Sequence, residues 1–146
     1  MNKNIIAILS IIAITLIGCA YAADSTDSLN NNTITMDGMN FTIPEGFTED
    51  VDDALVNETG SEEGFTYVTN SRTFEKNDDF VIISVSIYDR DLPEDYMDDF
   101  GEKTTVNNVS GYYDDFNFLS LFSYTDGDKL IIISSNEKSL IEDVLS

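Results

Sequence analysis

Phe80-Val81-Ile82-Ile83-Ser84-Val85-Ser86-Ile87-Tyr88 is the stretch on which the fold class turns. Val81, Ile83, Val85 and Ile87 alternate with positions that include Ser84 and Ser86, so a period of two runs through it and predicts a strand central to a sheet. Upstream, Phe65 to Phe74 reads as a second strand, closed by a turn at Lys76-Asn77-Asp78-Asp79. Further back, Thr33 to Met36 and Met39 to Ile43 flank Asp37-Gly38, a pair suited to a two-residue hairpin turn. That turn places Met36 beside Met39 and Ile34 beside Phe41, giving one apolar face, and Pro44-Glu45-Gly46 then redirects the chain. Between the hairpin and Phe65 the pattern weakens. Val51, Ala54 and Leu55 have helical spacing after Thr48, which predicts one helical turn within Thr48 to Ser61.

Downstream, Pro93 to Phe100 predicts a short helix, with proline and acids in its first turn and Gly101 as its terminal cap. Two hairpins follow: Thr104 to Val106 with Val109 to Tyr113 through Asn107-Asn108, and Asn117 to Thr125 with Lys129 to Ser134 through Asp126-Gly127-Asp128. From Asn136 onward, Leu140, Ile141, Val144 and Leu145 share a helical face that should lie on the sheet. The expected fold class is therefore α+β, an antiparallel meander with two short helices packed on it.

The segment Phe41-Thr42-Ile43-Pro44-Glu45-Gly46-Phe47, the strand to Tyr88, a short helix, Val109-Ser110-Gly111-Tyr112-Tyr113, a strand ending at Tyr124, Lys129 to Ser134 and a closing helix resemble the PsbP-like α/β sandwich. More narrowly, the chain is similar to small secreted proteins of methanogenic archaea built on that pattern, over Ile34 to Leu145. The resemblance implies a sandwich fold and an extracytoplasmic accessory role, and supplies no catalytic residues.

The amino-terminal stretch bears on location. Lys3 precedes an apolar run from Ile5 to Ile17, the form of an export signal. Ala20-Tyr21-Ala22 fits peptidase cleavage, Leu16-Ile17-Gly18-Cys19 fits lipidation at Cys19, and the run to Ala23 approaches the ~20 residues of an uncleaved anchor. The expected organisation is a signal peptide over 1–22, a polar linker over 23–32 and one domain over 33–146, placed outside the cytoplasm as a secreted or cell-surface protein. Contact with a membrane would come only through that anchor or a lipid on Cys19. As Cys19 is the sole cysteine, the domain has no disulfide and its core must hold it alone.

Charge narrows the partners. The chain holds 28 acidic and 7 basic residues, and once Lys3 leaves with the leader the net charge is −22. Such a field repels phosphate backbones, which argues against nucleic-acid binding, and favours cations and basic surfaces. The absence of histidine removes Ser-His-Asp and Cys-His arrangements, imidazole metal sites and haem ligation, leaving hard cations with oxygen ligands. No phosphate-binding glycine motif occurs, so no cofactor is expected.

The candidate residues are few. Asp89-Arg90-Asp91 and Asp126-Gly127-Asp128 are the weak calcium candidates through Asp89, Asp91, Asp126 and Asp128, and neither has EF-hand spacing. Tyr112 and Tyr113 invite a sugar-stacking reading, but neighbours on a strand face opposite ways. Phe116, Phe118, Phe122 and Tyr124 alternate as one core face. Four Asn-x-Ser/Thr sequons, at Asn31, Asn40, Asn57 and Asn108, permit glycosylation. The expectation for function is a non-catalytic secreted or cell-envelope domain, an accessory or interaction module with a protein or cell-surface partner. The alternative is a binder of a small ligand, calcium or glycan.

Overall fold

The computed structural model describes residues 32–146. The export signal, Cys19, most of the linker and Asn31 lie outside the described residues.

β5 (Asp79–Tyr88) forms where the alternating stretch predicts it and pairs antiparallel on both sides. Its partners are β4 (Phe65–Lys76) and β9 (Lys129–Ser135). With β3 (Thr48–Glu62), β6 (Glu102–Val106), β7 (Val109–Phe116) and β8 (Leu119–Asp126) they make a seven-stranded sheet in the order β3-β4-β5-β9-β8-β7-β6. β9, not β5, is its middle strand. β1 (Thr33–Met36) and β2 (Met39–Thr42) form a separate hairpin with the expected register, Ile34 opposite Phe41 and Met36 opposite Met39. Asp37 and Gly38 both have positive φ, which matches the twist of a tight hairpin. Asn107 and Asn108 do the same between β6 and β7, as Glu63 and Gly64 do between β3 and β4.

The core lies mainly on one face of the large sheet. Phe74, Val81, Ile83, Val85, Phe122, Ile131 and Ile133 are fully buried there, beneath Ile34, Met36, Phe41 and Ile43 of the β1–β2 hairpin and Ile141 and Val144 of α1 (Lys138–Val144). Gly111 on β7 makes room for the Phe122 ring: a Cβ at that position would stand 2.7 Å from the ring and 2.4 Å from the Ser123 carbonyl oxygen. On the opposite face Tyr88, Met97, Phe100, Leu119, Leu121, Leu130 and Ile132 form a second cluster, under the 89–101 connection that leads from β5 to the far edge. With both faces covered, β5 and β9 are nearly continuous apolar runs.

The α+β expectation with two helices, and the PsbP-like sandwich with it, is overturned: 63% of the described residues are in strands, 6% are helical, and α1 is the one helix. Two segments account for the difference. Pro93 to Phe100 closes as successive four-residue turns, with Tyr96, Asp98 and Phe100 donating to the carbonyls of Pro93, Asp95 and Met97 at 3.0, 3.2 and 3.0 Å. As a helix this segment would place like charges four residues apart, Glu94 with Asp98 and Asp95 with Asp99, which is destabilising, whereas the equally short α1 has Lys138 and Glu142 at that spacing. Met97 and Phe100 are buried all the same.

Thr48 to Ser61 is likewise no helical turn but most of β3, whose register with β4 shifts between Asp50 and Leu55 and again between Leu55 and Glu58. Those irregularities scramble the period of two and leave helix-like spacing in a strand. At the β7–β8 turn, Asn117 takes a positive φ, and Phe116 and Phe118 are exposed around it. Only Phe122 and Tyr124 of the expected aromatic stripe join the core.

Candidate functional site

The site grows from one anomaly on β4. Its residues facing the main core run Phe74, Arg72, Asn70, Val68, opposite the apolar Val81, Ile83, Val85 and Ile87 of β5. Two polar side chains therefore stand in apolar register, and each is bound. Arg72 makes a two-pronged pair with Glu49 of β3, Nε donating to Oε1 at 2.6 Å and Nη2 to Oε2, with the side chains only 12% and 19% exposed. Asn70 donates from Nδ2 to both oxygens of Asp37 in the β1–β2 turn, at 3.1 and 3.0 Å, while its Oδ1 accepts the Asn57 backbone N–H at 2.8 Å. Asn70 thus ties the covering hairpin to the bulge of β3, where Asn57 has positive φ.

Past this tie the hairpin no longer covers the sheet, and an open groove of about 810 Å³ remains. Val68 and Ile87, paired in register, contribute apolar side chains, while Asp37, Asn57, Thr59, Ser61, Thr66, Asn70 and Asp89 line it with oxygen and amide groups. Asp89 is fixed from two directions: its N–H donates to the Thr66 carbonyl at 2.9 Å, and its Oδ2 accepts from the Thr66 hydroxyl at 3.1 Å. No basic side chain lines the groove.

β3 forms one side of this groove and one edge of the sheet. Among the described residues no strand pairs with its outer side. It carries Glu49, Asp50, Asp52, Asp53, Glu58 and Glu62 and no base, and leaves Val51 and Val56 68% and 46% exposed. Partial burial raises the Asp53 pKa above the ordinary aspartate value; Asp50 adds to the rise, and the Thr73 hydroxyl bond opposes it. Glu62 is raised too, first by burial and then by Glu63.

The calcium candidates meet at one end of the sheet. The Tyr88 N–H donates to the Asp128 carbonyl at 2.8 Å and the Leu92 N–H to the Gly127 carbonyl at 3.4 Å, so the loop holding Asp89 and Asp91 lies against the turn holding Asp126 and Asp128. The contact is made by backbone. Arg90 lies 3.6 Å from Asp89 and Lys129 3.8 Å from Asp128, and among the described residues no three metal-ligating side chains gather. The turn is Gly127-Asp128 alone, because Asp126 ends β8 opposite Lys129.

The other candidates separate. Tyr113 packs on the main-core face and Tyr112 on the opposite one, as strand geometry requires. Asp115 accepts from the Tyr113 and Ser120 hydroxyls, each at 2.8 Å, and those bonds hold its carboxyl below the ordinary value. Burial raises the Tyr113 phenol. Of the sequons, Asn40 lies in β2 with its Oδ1 accepting from Thr35 at 2.8 Å, Asn57 lines the groove, and Asn108 is exposed in a hairpin turn.

Sequence reading missed the groove because its polar residues are spread over β1–β2, β3, β4 and the end of β5. The available signal was Asn70 and Arg72 at positions where a half-buried strand should alternate to apolar. Among the described residues no helix is long and apolar enough to cross a membrane. Compared with known proteins, the chain matches no family model, no curated protein and no solved structure.

Proposed function

We propose that the chain is a non-catalytic, extracytoplasmic interaction module that receives an extended basic polypeptide along the outer edge of β3, beside the open groove. The observation that carries this reading is β3 itself, a 15-residue edge strand with six acids and no base. An unpaired edge offers a row of N–H and C=O groups to any incoming strand, and natural edges are usually blunted by lysine, bulges or cover. Here the bulges occupy its middle, and Glu58 to Glu62 pairs regularly with β4. Acidic side chains repel a second copy of the same edge, whereas a Lys- or Arg-bearing strand gains ladder bonds and charge complementarity together.

The export signal supports placement outside the cytoplasm, and a chain with no histidine for a Ser-His-Asp or Cys-His arrangement supports a non-catalytic role. The carboxylates and amides of Asp37, Asn57, Asn70 and Asp89, set among the apolar Val68 and Ile87 side chains and the Tyr67 and Tyr88 rings, favour a second reading, in which a glycan, another small polar ligand or calcium sits there. Both readings can be separated by titrating the isotope-labelled mature protein with a peptide of alternating Lys and Val and following backbone amide shifts. The expected result is a saturable response confined to β3 and the groove, weakening as salt rises and lost in Glu58→Lys with Glu62→Lys. Shifts scattered over the whole acidic surface would refute the edge site. A calcium-selective or sugar-selective response in the groove, without response to the peptide, would install the second reading.

A further inference from the structure

We infer that Asn108 is a site of N-linked glycosylation and that the glycan covers the β6 edge of the sheet. This inference rests on the extracytoplasmic reading, because the transferases that read this motif act on exported chains.

Asn108-Val109-Ser110 is an acceptor sequon, with the side-chain amide that receives sugar and the hydroxyl that the transferase recognises two residues on. The fold sets it apart from the other described sequons. Asn107 and Asn108 form the β6–β7 turn with φ of 46° and 68°. Asn107 is anchored, its Nδ2 donating to the Glu142 carbonyl of α1 at 2.6 Å. Asn108 is exposed at the same tip, and its carboxamide has no hydrogen-bond partner among the described residues. In the Asn40 sequon both ends are engaged, Asn40 accepting from Thr35 and the Thr42 hydroxyl donating to the Ser146 carbonyl at 3.0 Å, whereas in the Asn108 sequon only the hydroxyl is, through a long 3.4 Å bond between Ser110 and Thr105. Asn57 sits inside β3, its backbone bound to Asn70, where a glycan would fill the groove.

In the transfer, Nδ2 of Asn108 attacks the anomeric carbon of a lipid-linked sugar phosphate. The new N–C bond replaces the C–O bond to phosphate, the amide proton passes to a base of the transferase, and the lipid phosphate leaves. The result is a bulky polar group beside β6, a five-residue strand that is the second free edge of the sheet. The two edges are then closed to self-association in different ways, β3 by acids and bulges and β6 by sugar.

The test is intact mass and peptide mapping of the exported protein recovered from the cells that make it, alongside Asn108→Gln, Ser110→Ala and Ser110→Thr. The expected result is a hexose-bearing mass on the Asn108 peptide, absent from Asn108→Gln and Ser110→Ala and kept in Ser110→Thr. Thermal melting of the Ser110 pair separates loss of the sequon from loss of the fold. A mature amino terminus with unmodified Asn108, or sugar on another sequon alone, overturns the inference and leaves export standing. A chain still beginning at Met1 overturns both.

Discussion

β9 and β3 belong to one sheet and are strands for different reasons. In β9 the run Leu130 to Ile133 is buried on both faces, between the core under α1 and the cluster under the 89–101 connection. Burial of that kind stabilises by roughly 1.5–3 kcal/mol per large side chain, and the strand follows from its own apolar content. β3 has little of that support. It is held by pairing with β4, by Arg72 to Glu49 and by Asn70, and its irregular middle faces water. Opening should therefore start at β3 and reach β9 only with global unfolding.

The contrast breaks most sharply at Phe122. Phe122→Ala removes a fully buried ring from the main core and should cost about 3–5 kcal/mol, read as a lowered urea midpoint. A loss under ~1 kcal/mol would mean the core is not the dominant support, since exposed substitutions usually fall within ±0.5 kcal/mol.

Next in size is the clasp of the edge. Arg72→Ala leaves the Glu49 carboxylate largely covered and unpaired, and should cost about 1.5–3 kcal/mol, the range for hydrogen bonds to charged groups. Hydrogen exchange should quicken in β3 well beyond the change in β9. Equal acceleration in both strands would show that they open as one unit and would remove the distinction between them.

The same contrast explains what could be read from the chain. β5, β9 and the β1–β2 hairpin were legible because burial writes a local pattern: Val81, Ile83, Val85 and Ile87 alternate, and Asp37-Gly38 has its own turn chemistry. β3 was not, because what makes it a strand lies 13 or more positions away, in Arg72 and Asn70. At Pro93 to Phe100 proline, acids and a following glycine imitate helix punctuation, yet Glu94 and Asp98, like Asp95 and Asp99, fall four apart, where like charges disfavour a helix. The candidate site was the least legible part. Asp89 was singled out as a calcium ligand, but its place opposite Asp37 in a groove depends on how far β1–β2 covers the sheet.

Acidity should sharpen the comparison at the edge. Asp53 and Glu62 have raised folded-state pKa values, so above their ordinary values of 3.8 and 4.5 the folded chain retains protons that the unfolded chain has released. Stability then rises as pH falls from neutral toward those values, aided by relief of net charge. Asp115 has the opposite shift: its contribution is present above 3.8 and is lost as pH drops below it. At the alkaline end, burial and the bond to Tyr96 raise Tyr88 far above the ordinary 10.0, and Tyr124 is pushed up to about 12. The unfolded chain releases those phenol protons first, so stability falls as pH rises past 10. Melting temperature against pH should thus peak on the acid side of neutral. A peak at or above pH 8 would mean that the edge acids and the net charge do not govern it.

The smallest effect is expected where sheet and acid cluster meet, at the β8–β9 turn. Asp126 is exposed, and Asp128 holds Tyr88 through its backbone carbonyl, which substitution leaves in place. Its side chain lies 3.8 Å from Lys129 at a surface where such pairs contribute about 0–1 kcal/mol. Asp126→Asn with Asp128→Asn should therefore shift stability by no more than about 0.5 kcal/mol. Calcium and magnesium at equal ionic strength should raise the melting temperature alike, because screening of an excess of 28 acids over 7 bases does not discriminate between them. A true oxygen-ligand site would discriminate, since calcium accepts six to eight flexible ligands and magnesium demands a tight octahedron. At ten times its dissociation constant such a site would add about 1.4 kcal/mol for calcium alone. A saturable calcium-selective gain abolished by the double substitution would move the binding function from the β3 edge to this turn.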